Sequence, residues 1–321
     1  MHKRKGANMR FTEEMILQKD LWAGLHDPKR KEEDADIVVF GIPYDGAVSF
    51  REGTKDGPRS IRDLSFHVTP TNEEFEVFED LKIKDIGDFY AATQEDLFAK
   101  VEDKVAELVD KNIFFMMLGG DHSTTIPVLR GINRSLGEEF GIIHVDAHFD
   151  LCDSLGGNPL SHGCPARRGS ELEWVGGSDN ICFLAIRSVE TDELEFMKHN
   201  PVHVISAKAF SRMGAQAVVD AVCEHFKDKK HIYLTFDIDA LDPAYAPGTG
   251  TPQFGGISSR EALDLVSGIS RRLPLIGFDI VEVAPKLDDS LLSSFAARKL
   301  LMEIWGERYF KMYPEKRRSR L

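Results

Sequence analysis

Gly141-Ile142-Ile143-His144-Val145-Asp146-Ala147-His148-Phe149-Asp150 joins a short apolar run to a cluster in which metal-ligand side chains stand at every second position. Successive side chains of an extended chain point to opposite faces, so Asp146, His148 and Asp150 are expected to share one. A second stretch, His231-Ile232-Tyr233-Leu234-Thr235-Phe236-Asp237-Ile238-Asp239, repeats the pattern with Asp237 and Asp239. Both apolar runs read as buried strands of a parallel sheet. That puts both acidic groups at strand carboxyl ends, the edge where open α/β sheets place ligands.

An Asp just after a strand is commonly a turn former or a helix cap. Crowding Asp146, His148 and Asp150 onto one face is different, because such groups repel or are costly to desolvate unless a cation compensates them. His122 comes after a third apolar run through Gly119-Gly120-Asp121, at a sharp turn into a helix. A lone His there is ordinarily a cap or core residue; on a third strand end of the same sheet it becomes a candidate ligand. Asp121 reads as a cap or a supporting group.

Composition agrees with a globular protein. The chain has 321 residues, 42% hydrophobic and 29% charged, with no Pro/Gly/Ser-rich linker or internal repeat. We therefore expect a single domain over 1–321 with a short N-terminal extension to about residue 35. A net charge of -13 argues against nucleic acid as a partner and suits a cationic substrate. The four cysteines, Cys152, Cys164, Cys182 and Cys223, lack Cys-x-x-Cys spacing and read as reduced thiols of a cytoplasmic protein. No apolar run succeeds the basic Met1-His2-Lys3-Arg4-Lys5 to make a signal peptide, and none approaches the roughly 20 residues of a membrane span.

Apolar runs alternate with amphipathic stretches along the chain, as in a doubly wound sheet covered on both faces. Strands are expected at 37–42, 82–86, 113–118, 141–146, 181–186, 202–205, 232–237 and 275–281, with helices at 97–109, 122–136, 190–197, 215–226, 259–270 and 290–308. Residues 150–179 are rich in Gly, Ser and Pro where a crossover helix belongs, and a long irregular segment beside a site is usually functional.

Gly119-Gly120-Asp121-His122-Ser123, Asp146-Ala147-His148-Phe149-Asp150, Ser161-His162-Gly163 and Phe236-Asp237-Ile238-Asp239-Ala240-Leu241-Asp242-Pro243 resemble the motifs of the ureohydrolase family, which includes arginase and agmatinase. The likeness runs from Gly41-Ile42-Pro43-Tyr44 to Val281-Glu282-Val283-Ala284-Pro285, nearly the whole chain. The resemblance implies a three-layer α/β/α sandwich around a central, mainly parallel eight-stranded sheet, a homotrimer or homohexamer, and a binuclear manganese centre that hydrolyses a guanidino compound to urea and an amine. It makes Asp146 and Asp237 bridging ligands, with His122 and Asp150 completing one metal site and His148 and Asp239 the other. One imidazole with otherwise carboxylate oxygens suits two Mn2+ ions, although other divalent metals fit such a set. The resemblance also makes His162 the proton shuttle to the leaving amine and Glu282 the partner of the substrate guanidinium, which a carboxylate can grip through paired charge-assisted hydrogen bonds.

The substrate is read from the residues on the C-terminal side of the first cluster. Leu151 to Leu160 lacks the Asn/Thr/Ser-rich pattern with which arginases hold an amino acid, and Ser161-His162-Gly163-Cys164-Pro165-Ala166-Arg167-Arg168 looks like agmatinase and the guanidino-acid hydrolases, departing from them at Cys164 and Ala166. Ala166 could enlarge the pocket. Arg187-Ser188-Val189-Glu190 departs from the arginase pattern as well. Agmatine, yielding putrescine as in polyamine biosynthesis, is the expected substrate. Arg167 and Arg168 keep a carboxylate-bearing one such as 4-guanidinobutyrate open, although an Arg pair beside a loop is more often a structural salt-bridge former; arginase and formimidoylglutamase activity are further alternatives, and a metal-binding assembly protein is the non-enzymatic one. The basic tail, Lys311 to Arg320, reads as solvated or as an oligomer contact.

Overall fold

A computed structural model describes residues 12–317. Eight strands form one sheet: β1 (Ile37–Gly41), β2 (Ile83–Asp88), β3 (Phe115–Leu118), β4 (Gly141–Val145), β5 (Ile181–Ile186), β6 (His203–Ser206), β7 (Ile232–Asp237) and β8 (Leu275–Val281). They run in the order β2-β1-β3-β8-β7-β4-β5-β6 and every pair is parallel. β1, β3, β4, β5 and β7 are buried at every position, whereas the edge strand β2 alternates. Helices cover both faces of an interior parallel strand, so its apolar run is continuous; an edge strand keeps one face partly open.

The strand period sorts the core into two layers. Ile37, Val39, Met116, Ile143 and Val145 pack on one side with the helices Ala215–His225, Ser259–Arg272 and Leu292–Met312. Val38, Phe40, Phe115, Met117 and Ile142 pack on the other with Gln94–Asp110 and Thr125–Leu136. This is the expected three-layer sandwich, with the sheet all parallel.

Several boundaries differ from the sequence reading. β4 stops at Val145, and His122–Thr124 is a turn of 3-10 helix that precedes Thr125–Leu136. A short helix, Pro165–Ser170, lies inside the segment read as irregular, and Ala207–Met213 is a helix absent from the sequence reading, because two turns carry little periodic signal. Residues 1–11 of the expected N-terminal extension lie outside the described residues, but Leu21, Trp22 and Leu25 are core. The Trp22 ring meets Trp305 edge-on at 5.2 Å and its Nε1 donates to Asp85 Oδ2 at 2.7 Å. The basic tail exposes Lys311 and Lys316, as a solvated segment would, and is anchored by contacts: Lys311 Nζ donates to Leu273 O, Lys316 pairs with Asp80 and Arg317 with Glu307, while residues 318–320 lie outside the described residues. Among the described residues no helix is long and apolar enough to cross a membrane.

Candidate metal centre

The ends of β3, β8, β7 and β4, which are consecutive in the sheet, converge on one place. β3 leads to His122, β8 to Glu282, β7 carries Asp237 and leads to Asp239, and β4 leads to Asp146, His148 and Asp150. The alternation expected of an extended chain is produced instead by turns. Asp146 Oδ1 accepts the His148 amide at 2.7 Å, and Asp237 Oδ1 accepts the Asp239 amide at 2.8 Å, so each Asp folds the chain two residues onward over itself. Asp150 and Glu282 take positive φ, 55° and 63°. Such conformations cost non-glycine residues of order 1–3 kcal/mol and cluster at functional sites. Before His122, a Cβ on Gly120 would lie 1.8 Å from Tyr44 O, so only glycine lets the Tyr44 loop cross there. Asp121 caps Ser123 and holds that loop through the Ala47 amide at 2.9 Å, which is the supporting role expected of it.

His122 Nδ1 lies 3.0 Å from Asp146 Oδ2, 3.0 Å from Asp150 Oδ2 and 3.3 Å from Asp237 Oδ2. His148 Nδ1 lies 3.3 Å from Asp239 Oδ2 and 3.5 Å from Asp146 Oδ1. Two donor groups result, His122 with His144, Asp146 and Asp150, and Asp146 with His148 and Asp239, each with its ligand atoms within 4.8 Å of one another. Asp146 belongs to both, and Asp237 joins the first through His122. His122 Nδ1, Asp146 Oδ2 and Asp239 Oδ2 are buried and engage no hydrogen bond, as befits atoms directed at a cation. His144 was missed by the sequence reading. Its ring stacks on His122 at 4.9 Å and its Nε2 is 3.1 Å from Asp146 Oδ2. Extending the two-residue step backwards from Asp146 would have found it.

The electrostatics are those of a concentrated acidic cluster. Burial and then the charges of Asp239 and Asp146 push Asp237 well above the usual carboxylate range, and burial with Asp146 raises Asp239. Burial opposes ionisation of Asp146 too, but His122, His144 and His148 hold it well below that range. For His148 burial disfavours the cation, yet Asp239 and Asp146 push the ring up to about 12. Carboxylates and imidazoles here share protons to limit like-charge repulsion, and divalent cations bound by the same oxygens and nitrogens perform that task better. The donor set fits two such ions.

Beside the cluster a cavity of about 170 Å³ is lined by Glu282, His162, His148 and Asp150, together with Leu155, Glu190 and Gln253. Glu282 Oε1 accepts the His122 amide at 2.9 Å and faces His162 Nδ1 at 3.0 Å, while its Oε2 is buried without a partner. The Ser49 amide donates to His162 Nε2 at 3.0 Å, which leaves Nδ1 as the protonated nitrogen of the neutral ring. Burial disfavours the His162 cation, but Glu282 outweighs it and pushes the ring up to about 9.

The expectation that Ala166 enlarges the pocket needs correction, whereas the salt-bridge reading of Arg167 and Arg168 agrees with the structure. Ala166 and Cys164 do not line the cavity; Ala166 packs into the core, so it opens no room for substrate. Arg167 stacks on Phe196 and Arg168 pairs with Asp153 and Glu171, which leaves neither directed at the cavity. Ser188, Val189, Glu190 and Glu193 after β5, and Thr251 and Gln253 after β7, complete the wall. Arg187 organises it by donating to the Asp239, Gln253 and Ala185 carbonyls.

Residues 35–306 match the model of the Arginase family. An agmatinase of Bacillus anthracis is 34% identical over 281 residues, 85% of this chain and 91% of the relative. A guanidinobutyrase of Pseudomonas aeruginosa is also 34% identical, over 87% of this chain and 88% of the relative. The solved structure of proclavaminate amidino hydrolase from Streptomyces clavuligerus superimposes with a TM-score of 0.81 at 30% identity, covering 92% of this chain and 98% of that one. The chain belongs to the arginase family, hydrolases that act on guanidino compounds.

Proposed function

We propose that this protein hydrolyses agmatine to putrescine and urea with two Mn2+ ions held by His122, Asp146, His148, Asp150, Asp237 and Asp239. One observation carries the reading: the partnerless Glu282 Oε2 lies in a cavity that no Lys or Arg lines among the described residues, and that Glu190 borders. A buried carboxylate oxygen with no donor of its own suits a planar guanidinium. Glu190 on the lining suits an amine on the substrate, and no Lys or Arg there pairs with a carboxylate. Similarity alone does not separate agmatine from 4-guanidinobutyrate, since relatives named for both are equally identical.

When bound, the ion pair supplies Lewis acidity that lowers the pKa of water towards neutrality. The chain's own residues do the rest. Glu282 orients the guanidinium through Oε2 and holds His162 through Oε1. In the geometry seen, His162 holds its Nδ1 proton against Glu282 Oε1 while Nε2 accepts the Ser49 amide. A second proton, favoured by Glu282, requires that amide to give way, leaving Ser49 Oγ at 2.8 Å as its acceptor, and is then available to the departing amine, which cannot leave as an anion.

Urea release from agmatine, arginine, 4-guanidinobutyrate, 3-guanidinopropionate and formiminoglutamate, compared as kcat/KM with Mn2+ loaded, tests the assignment. Agmatine is expected to exceed each carboxylate-bearing compound by at least about tenfold, the effect of roughly 1.4 kcal/mol of mismatched charge. A better guanidino acid would overturn agmatine and leave the family assignment standing.

A further inference from the structure

We propose that Thr235 and Asp279 form a hydroxyl–carboxylate relay that fixes the tautomer and orientation of His122, so that one of the two cation positions depends on it. The proposal rests on the metal-centre reading of His122 and its neighbours.

His122 Nε2 lies 2.9 Å from Thr235 Oγ1, and Thr235 Oγ1 lies 2.6 Å from Asp279 Oδ1. Asp279 is fully buried, and no salt bridge reaches it among the described residues. Three hydroxyls meet it instead: Thr235 on Oδ1, with Tyr233 at 2.6 Å and Thr125 at 3.0 Å on Oδ2. A hydroxyl has one hydrogen to give, and Thr235 gives its own to Asp279. The contact with His122 is then the ring's Nε2–H donating to Oγ1. In the neutral imidazole this leaves Nδ1 bare, and Nδ1 is the atom that faces Asp146, Asp150 and Asp237.

The relay is built into the rigid middle of the sheet. Thr235 and Asp279 are direct register partners on β7 and β8, and Thr125 begins the helix that comes after His122. Metal-binding imidazoles ordinarily donate their second N–H to a carboxylate or carbonyl, which sets the tautomer and increases ligand basicity. Here a threonine hydroxyl spans the gap between ring and carboxylate. His148 has no equivalent hydroxyl partner among the described residues, and its side chain is a quarter exposed. The two imidazoles are thus held unequally: His122 is locked from behind and His148 is not. None of the relay residues lines the cavity, so none is placed to touch substrate.

Titration of the metal-stripped full-length protein with Mn2+, monitored by equilibrium dialysis and electron paramagnetic resonance, tests this in wild type, Thr235→Val, Thr235→Ser and Asp279→Asn. Wild type is expected to take up two equivalents and show the spectrum of a spin-coupled pair. Thr235→Val should weaken one equivalent by about 10–100-fold while the other changes little, giving an isolated Mn2+ spectrum at one equivalent. Thr235→Ser keeps the hydroxyl and should restore the wild-type behaviour. Asp279→Asn, which preserves shape, should weaken the same equivalent and serves if Thr235→Val fails to fold. Wild-type affinity in Thr235→Val and Asp279→Asn, equal weakening of both equivalents, or a Thr235→Ser protein as impaired as Thr235→Val would each overturn the relay. A wild-type protein that binds no Mn2+ would overturn the metal-centre reading itself and the relay with it.

Discussion

Glu282 divides its two oxygens between jobs that conflict in any other arrangement. Oε1 is spent inside the protein, on the His122 amide and the His162 ring; Oε2 is buried and unpaired beside the cavity. Its positive φ turns the chain sharply at the end of β8, which aims the carboxylate inward. Replacing one oxygen with an amide removes the charge but little volume. Glu282→Gln is therefore expected to lower kcat/KM for the guanidino substrate by about 10²–10⁴, the range typical for loss of a positioned catalytic or charged group. Metal content should persist, because Glu282 lies outside both donor groups. Urea assays paired with metal analysis check this, and near-normal turnover would remove Glu282 from the reaction. His162 was legible in the sequence only through its likeness to relatives, since Ser-His-Gly in a loop is an ordinary polar turn. What makes it chemically distinct, the Glu282 contact on one nitrogen and the Ser49 amide on the other, joins residues 120 and 113 positions apart.

At the level of elements, the strands were readable because each is a continuous apolar run that the two helical layers bury. The segment after β4 was not. Its Gly, Ser and Pro content concealed the helix Pro165–Ser170, and the residues that departed from the relatives, Cys164 and Ala166, do not line the cavity. Composition indicates where a loop is, but not which side of it faces substrate. The sheet edge carries a separate consequence. His203 on β6 and His225 on the helix Ala215–His225 stack at 4.2 Å, and both Nε2 atoms are buried without partners. Burial lowers the pKa of His203, and burial together with the charge of His203 lowers that of His225, where Asp179 acts the other way and Lys229 reinforces the shift. A folded-state pKa below the ordinary value near 6.5 means the folded state prefers the neutral rings. Their stabilising contribution is present above about pH 6.5 and lost as pH falls through the lowered values. His203→Phe keeps a stacking ring and removes a titrating group. Between about pH 7.5 and 5.5 the wild-type Tm should fall by about 1–3 °C more than that of His203→Phe. Parallel Tm curves across that range would rule out the His203–His225 pair as a source of acid sensitivity.

For the whole molecule, metal binding at the centre is expected to couple to stability. The cluster gathers Asp146, Asp150, Asp237 and Asp239 at the meeting point of four strands, and each strand end is held near the others at an electrostatic cost that bound cations would offset. Ions that bind the folded chain and not the unfolded one stabilise it by mass action, about 2.7 kcal/mol per site at one hundred times the dissociation constant. Removing them with a chelator should lower Tm by several degrees, and re-adding Mn2+ should restore it. An unchanged Tm after verified metal removal would count against the site.

The parallel sheet, its eight strands and the candidate ligand types at three strand ends were legible in the residues, because strand burial and the Asp-x-His-x-Asp and Asp-x-Asp spacings are local properties. Even there the mechanism differed, since side-chain-to-amide turns rather than strand pleating bring alternate residues together. Which strand ends are neighbours is set by packing across the sheet. β3, β8, β7 and β4 lie side by side although 92 residues separate Ala147 from the Asp239 carboxylate that accepts its amide, and strand order depends on crossovers that no local pattern encodes. The folded chain likewise decided that His144 joins the cluster, that Arg167 and Arg168 do not reach the cavity, and that Thr235 and Asp279 stand behind His122. Each of these is a matter of which side chains meet across the sheet, and that is settled by packing.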